Sequence, residues 1–194
     1  MTPIVTAPMR ILLVDEQPSR AALMSEGLSN AGYAVIATLS SPFDLPDAIR
    51  ALKPDVIIVD IDSPTRDTLE HVVISTRDDP RPIIMFANEG GRDQIREAMR
   101  AGVAAYVVDG ANPQRVGSII EIAVARFEEF QVLREELATA NRALHERKLI
   151  ERAKGLLMRT RGLTEDDAFA FLRTIAMNRQ SRLAEVAQMV IETS

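Results

Sequence analysis

Five short apolar runs recur along the first 108 residues: ILLV (11–14), AVIA (34–37), VIIV (56–59), IIMF (83–86) and YVV (106–108). The gaps between them hold segments with helical spacing: Ser19 to Ala31, Asp44 to Leu52, Asp67 to Arg77, and Arg92 to Ala101. Strands that alternate with helices leave few architectures. Parallel neighbours need crossover connections, so the pattern predicts βαβ units wound into a five-stranded parallel sheet. VIIV and IIMF are apolar throughout, as central strands covered on both faces must be. Gly32 and Gly102 each end a helix before the next strand, a natural C-terminal cap position.

After Val108 the period changes. Pro113 suits the first turn of a helix, with Asn112 as its cap. From there to Gly162 no proline occurs, and apolar residues fall at Val116, Ile120, Ala123, Phe127, Phe130, Leu133, Leu137, Ala140 and Leu144. These steps of three and four, amid dense charge, predict that the domain's last helix runs on into a coiled coil. The stripe outruns what one small domain covers. Phe127, Phe130, Leu133, Leu137, Ala140 and Leu144 are therefore expected to form the seam of a homodimer.

The last quarter, Leu149 to Thr193, reads as three short helices. The first carries Leu149, Ala153, Leu156 and Leu157. Thr164 caps the second, with Glu165, Asp166 and Asp167 favourable to its dipole. Its stripe is Ala168, Phe171, Leu172, Ile175 and Ala176. Ser181 is the expected cap of the third, whose stripe is Leu183, Val186, Ala187, Val190 and Ile191. Met158, Met177 and Met189 read as core fillers. Phe171 belongs on the stripe, which leaves Phe169 as the aromatic with a route to solvent. The expected organisation is a sheet domain over residues 9–127, a coiled-coil linker helix over 128–146 and a small all-α domain over 147–194.

Charge divides along the same line. Residues 147–194 carry nine Lys/Arg against six Asp/Glu, and residues 1–146 carry fourteen against twenty-two. An acidic body with a basic tail fits a polyanion-binding output. Cysteine is absent, which excludes disulfides and thiolate zinc sites. His71 and His145 are isolated. No apolar run reaches the ~18 residues of a membrane span, and MTPIVTAPMR lacks a signal-peptide core, so a cytoplasmic protein is expected. No nucleophile–base pair, metal cluster or glycine-rich phosphate loop is evident, and Gly90–Gly91 precede no lysine motif. An enzyme is not expected.

Asp15 and Glu16 follow the first strand and Asp60 follows the third, in DIDSP. Open α/β sheets place their sites at such carboxyl ends. Here residues 9–127 resemble response-regulator receiver domains, which are flavodoxin-like. The resemblance implies that Asp15, Glu16 and Asp60 could hold Mg²⁺, a hard cation suited to carboxylates, with Asp60 as the phosphoacceptor equivalent. Pro64 also fits the pattern. Three positions depart from it. Ala87 stands where receivers usually have Thr or Ser, Asp109 where they have Lys, and Gly110 where they have Pro. A carboxylate in place of a cation opposes phosphoryl binding by several kcal/mol, since one charge at ~4 Å and effective dielectric ~20 is worth about 4 kcal/mol. The expectation is a pseudoreceiver not switched by phosphate, with no required cofactor.

The tail resembles the ANTAR family of RNA-binding transcription antiterminators. The match covers Ala153, Gly155, Leu157 and Met158 in AKGLLM, then Ala168, Leu172, Arg173, Ala176, Met177, Leu183, Val186 and Ala187. It implies a three-helix unit that binds paired hairpins in a nascent leader mRNA and lets polymerase pass an intrinsic terminator. SPTRDTLE, RPIIMF, AYVV, ERKLIERAKGLLM and AMNRQ resemble the NasT-type branch, which responds to nitrate or nitrite. That branch implies a partner, an inhibitory nitrate sensor similar to periplasmic binding proteins. Residues suited to touch RNA are polar or basic and lie off the stripes: Lys154, Arg159, Arg161, Arg173, Asn178, Arg179, Gln180 and Arg182. The alternative is a phosphorylation-switched two-component regulator acting on nucleic acid.

Overall fold

The computed structural model describes residues 7–62, 64–76, 79–88, 90–108 and 115–193. It divides into two compact units, residues 1–130 and 131–194.

In the first unit, strands β1 (Arg10–Asp15), β2 (Ala34–Leu39), β3 (Val56–Asp60), β4 (Ile83–Ala87) and β5 (Ala105–Val108) alternate with helices α1 (Pro18–Asn30), α2 (Leu45–Leu52), α3 (Arg66–Ser75) and α4 (Arg92–Ala101). A single 3₁₀ turn, Pro42–Asp44, leads into α2. All strand pairs are parallel, in the order β2-β1-β3-β4-β5. The expected fold class, a flavodoxin-like receiver sheet, is what the chain forms.

Alternation along each strand divides the core into two layers. Ile11, Leu13, Ile58, Ile84 and Phe86 face Met24 and Leu28 of α1 and Val116, Ile120 and Ala123 of the next helix. Leu12, Val14, Ile57, Val59 and Met85 face Leu45, Ile49, Leu69, Val72 and Ala98 on the opposite side. Every residue of β3 and β4 is buried, whereas the edge strands β2 and β5 are mostly half-buried. Gly102 closes α4 at φ 111°, in the left-handed region where a side chain would be strained. The expected cap at Asn112 and Pro113 lies outside the described residues, as do Asp109 and Gly110.

Helix α5 spans Val116–Arg161 without a break. The expected boundaries at 127 and 146 thus both fall inside one helix, and the first tail helix is the end of α5. No proline interrupts the segment, and Gly155 stays helical; the chain turns only at Gly162, φ 65°. The apolar stripe has two fates. Val116, Ile120 and Ala123 are fully buried, and Phe127 packs partly buried against the same core. Phe127 therefore belongs to the sheet domain, which corrects its assignment to the dimer seam. Phe130, Leu133, Leu137, Ala140 and Leu144 are exposed.

In the second unit, α6 (Glu165–Arg179) and α7 (Leu183–Glu192) pack with the end of α5. Their core is Ala153, Leu157, Ala168, Leu172, Ala176, Val186 and Ala187, edged by Leu149, Phe171, Ile175, Leu183, Val190 and Ile191. The alanines let the helices approach closely, while Leu and Val fill the centre. Thr164 Oγ1 accepts from the Asp167 N–H at 3.2 Å, the expected cap. The third helix is capped differently. Arg182 is its N-cap, Glu185 Oε2 accepts from the Arg182 N–H at 3.3 Å, and the Ser181 hydroxyl is buried without a hydrogen-bond partner.

Candidate nucleic-acid interface and acidic pocket

Asp15 and Asp60 end adjacent parallel strands and stand opposite each other in register. The sheet order reverses between β1 and β3, so both carboxylates lie at the topological switch point where such sheets carry their sites. Both are buried, while Glu16 is exposed.

Arg20, in the first turn of α1, reaches back over this edge, as helical side chains lean toward their N-terminus. Its Nε lies 3.1 and 3.0 Å from the two oxygens of Asp15, and its Nη2 lies 2.9 Å from Oδ1. Nη2 also donates to the Asp60 carbonyl oxygen at 3.1 Å, and Nε lies 3.4 Å from Asp60 Oδ2. Nη1 donates to Asp62 Oδ1. Asp62 also accepts from Asn88 Nδ2 at 2.7 Å and from Gln17 Nε2 at 3.0 Å. The bond to Asp15 holds the guanidinium above its ordinary pKa against the cost of burial. Burial pushes the Asp60 carboxyl up to about 6; Arg20 opposes this, and Asp15 and Asp62 add to it. Asp60 Oδ2 accepts no hydrogen bond.

This arrangement does not suit the expected Mg²⁺. Glu16 is exposed, Arg20 uses both oxygens of Asp15, and no cluster of three acidic, His or Cys groups poised for a metal occurs among the described residues. At the end of β4, Ala87 is fully buried and brings only a methyl where a hydroxyl was sought. Sequence reasoning missed Arg20 and Asp62. The signal was weak: a lone arginine five positions after Asp15 and a third acidic residue in DIDSP.

In the second unit the candidate RNA residues separate. Arg159, Arg161, Arg173, Asn178, Arg179, Gln180 and Arg182 are exposed. Lys154 is not: only 8% of it is accessible, and Nζ donates to Glu165 Oε1 at 2.7 Å and Glu151 Oε1 at 3.0 Å. It serves as an internal counter-ion, which corrects its assignment to the RNA set. The Arg161 guanidinium lies 4.8 Å from the Phe171 ring centre, and Arg182 approaches Glu146 at 3.9 Å. Arg179 Nη1 lies 2.9 Å from the sulfur of Met189. Gln180 closes α6 in the left-handed conformation at φ 51°, donating to Ala176 and Met177 carbonyls.

A groove of about 470 Å³ opens at this α6–α7 junction, lined by Phe169, Arg173, Ala176, Met177, Gln180, Ser181 and Leu183. Met177 is 69% exposed and Phe169 41%. The methionine is thus no core filler, and Met158 and Met189 are also partly open. The helical spacing placed Met177 next to a stripe, but the stripe ends at Ala176.

The ANTAR domain profile matches residues 138–191, and the response regulator receiver domain profile matches residues 11–121. The transcriptional regulatory protein PdtaR of Mycobacterium tuberculosis is 33% identical over 186 residues, spanning 96% of this chain and 91% of that one. The chain belongs to the ANTAR-domain response regulators. ANTAR response regulators are a family of RNA-binding antiterminators. A protein-glutamate methylesterase/protein-glutamine glutaminase of Vibrio vulnificus is 30% identical, but over only 53% of this regulator and 31% of that enzyme. Two solved structures share the fold of the receiver portion. The chemotaxis protein CheY4 of Vibrio cholerae superposes with a TM-score of 0.53 at 24% identity, covering 59% of this chain and 98% of that one. A pilus assembly-related protein of Burkholderia pseudomallei gives 0.56 at 18% identity, covering 65% and 96%. No helix among the described residues is long and apolar enough to cross a membrane.

Proposed function

We propose that this regulator binds paired hairpins of a nascent leader mRNA through its second unit and prevents intrinsic termination. The observation that carries this reading is the α6–α7 junction. Arg173 lines a groove whose apolar lining, Phe169 and Met177, is open to solvent, and Arg179 and Arg182 are exposed at the same junction in the sequence. Unpaired loop bases are gripped by such surfaces, with stacking on apolar and aromatic faces and cations on the phosphates. Arginine also combines stacking with hydrogen bonding to a base edge.

The control step is assigned to a protein partner. Asp60 has a buried carboxylate already faced by Arg20, and Ala87 offers no hydroxyl to a phosphoryl oxygen. Both favour a receiver that works without phosphate. The NasT-like runs supply the finer reading, in which a nitrate-sensing partner restrains the regulator until nitrate or nitrite arrives. The exposed stripe at Leu133, Leu137, Ala140 and Leu144 supports a homodimer on RNA.

The test is a titration of the full chain against a two-hairpin leader RNA and the duplex DNA of the same sequence, across salt. Preference for the hairpin RNA is expected; equal affinity for both defeats the reading. Efficient labelling of Asp60 by acetyl phosphate, with a gain in RNA binding, favours the phosphate-switched alternative.

A further inference from the structure

The acidic pocket of the first unit contains its own cation. Arg20 contacts three carboxylates from two strand ends: Asp15 at the end of β1, Asp60 at the end of β3, and Asp62 just beyond it. Its side chain is only 22% exposed. Asp15 Oδ1 accepts from the Gln17 N–H at 2.8 Å as well as from two nitrogens of Arg20, so its acceptor capacity is filled. The guanidinium also binds the backbone, at the Asp60 carbonyl. A planar fork with five donors suits several fixed oxygens at once, and it stays charged at any working pH.

We infer that Arg20 is the resident cation of this receiver: it stands where a divalent ion would balance Asp15 and Asp60, so the pocket is complete without metal. The inference rests on the phosphate-independent reading of the first unit and goes beyond it by naming what replaces the ion. Two consequences follow from the geometry. A divalent cation entering the pocket must displace the guanidinium from both oxygens of Asp15. Deleting the guanidinium leaves three carboxylates together without a counter-charge, an arrangement a hard cation relieves. Arg20 also ties α1 to the residues following β3, so the loop at Asp62 is fixed by the protein alone.

Mn²⁺ binding to the full chain tests this, measured by the loss of the free-ion electron paramagnetic resonance signal for wild type, Arg20→Met and Asp15→Asn/Arg20→Met. Arg20→Met should bind one ion roughly tenfold tighter than wild type or better, the direction expected from removing one neighbouring positive charge. The double variant should lose that gain. Equal binding by wild type and Arg20→Met, or a folded Arg20→Met that binds none, overturns the inference. Should Arg20→Met fail to fold, the wild-type Arg20 Nε–H nuclear magnetic resonance signal decides. It should remain protected and unshifted in millimolar Mg²⁺; a shift with loss of protection overturns the inference. Acetyl-phosphate labelling of Asp60 reports separately on the phosphate-independent reading, so the two can fail apart.

Discussion

Lys154 Nζ lies 2.7 Å from Glu165 Oε1, a contact that joins the end of α5 to the first turn of α6. Glu151, one turn back on α5, holds the same ammonium at 3.0 Å. A lysine so enclosed stabilises the helical unit, with two of its three N–H donors given to Glu151 and Glu165. Lys154→Met should lower the Tm of the second unit. It should leave the slope of log affinity against log salt unchanged, because no phosphate contact is lost. A lower slope with an unchanged Tm would restore Lys154 to the interface.

The same pair predicts a pH dependence. Glu165 holds the Lys154 pKa up, and Lys154 holds the Glu165 pKa down. The Glu165 contribution is present above its unfolded pKa of about 4.3 and is lost as pH falls through the lower folded value. The Lys154 contribution is present below about 10.4 and is lost as pH rises through the higher folded value. The Tm difference between wild type and Glu165→Gln should be flat near neutrality and shrink in strong acid. Thermal melts across pH check this; a difference that grows in acid contradicts the pairing.

Arg173 and Arg179 are exposed on α6, and neither is held by a carboxylate among the described ion pairs. Replacing either with Ala should weaken RNA binding and reduce the salt slope by about one for each phosphate contact removed. Circular dichroism should show the fold intact. Unchanged binding by the double variant would move the interface elsewhere.

Phe169 lines the groove at the α6–α7 junction and lies outside the buried core. Phe169→Ala should cost roughly 1–3 kcal/mol of RNA affinity if a loop base stacks there. Its effect on Tm should be small. Fluorescence anisotropy with a labelled hairpin measures the first, and a melt the second. A large fall in Tm with no change in affinity would make Phe169 a packing residue.

Leu133 and Leu137 are 56% and 62% exposed on α5. Glutamates at both positions should convert a dimer to monomer in sedimentation velocity, since like charges in a heptad seam repel. Melting of the first unit should change little. A wild-type chain that stays monomeric with RNA bound would refute the seam.

The five strands and the four helices between them were legible because a buried parallel strand must be apolar on both faces, and VIIV and IIMF contain nothing else. The Thr164 cap was legible for a similar reason, since the hydroxyl bonds three residues along its own chain. The end of the first tail helix was harder. Residues 128–161 carry no stop signal, and periodicity alone gives no reason to divide one helix into two. Phe127 and Phe130 occupy equivalent places in the same stripe. Only packing shows that Phe127 rests on the sheet domain's core while Phe130 is largely open.

Sequence alone determined the sheet, the helical tail and the residues at the strand ends, because each follows from local periodicity or from neighbours a few positions apart. Tertiary structure alone decided the charge partners. Arg20 meets Asp62 across 42 positions and Lys154 meets Glu165 across 11. Such pairs form only when the fold brings distant segments together. The same list of charged residues then divides into cations held inside the protein and cations exposed on its surface.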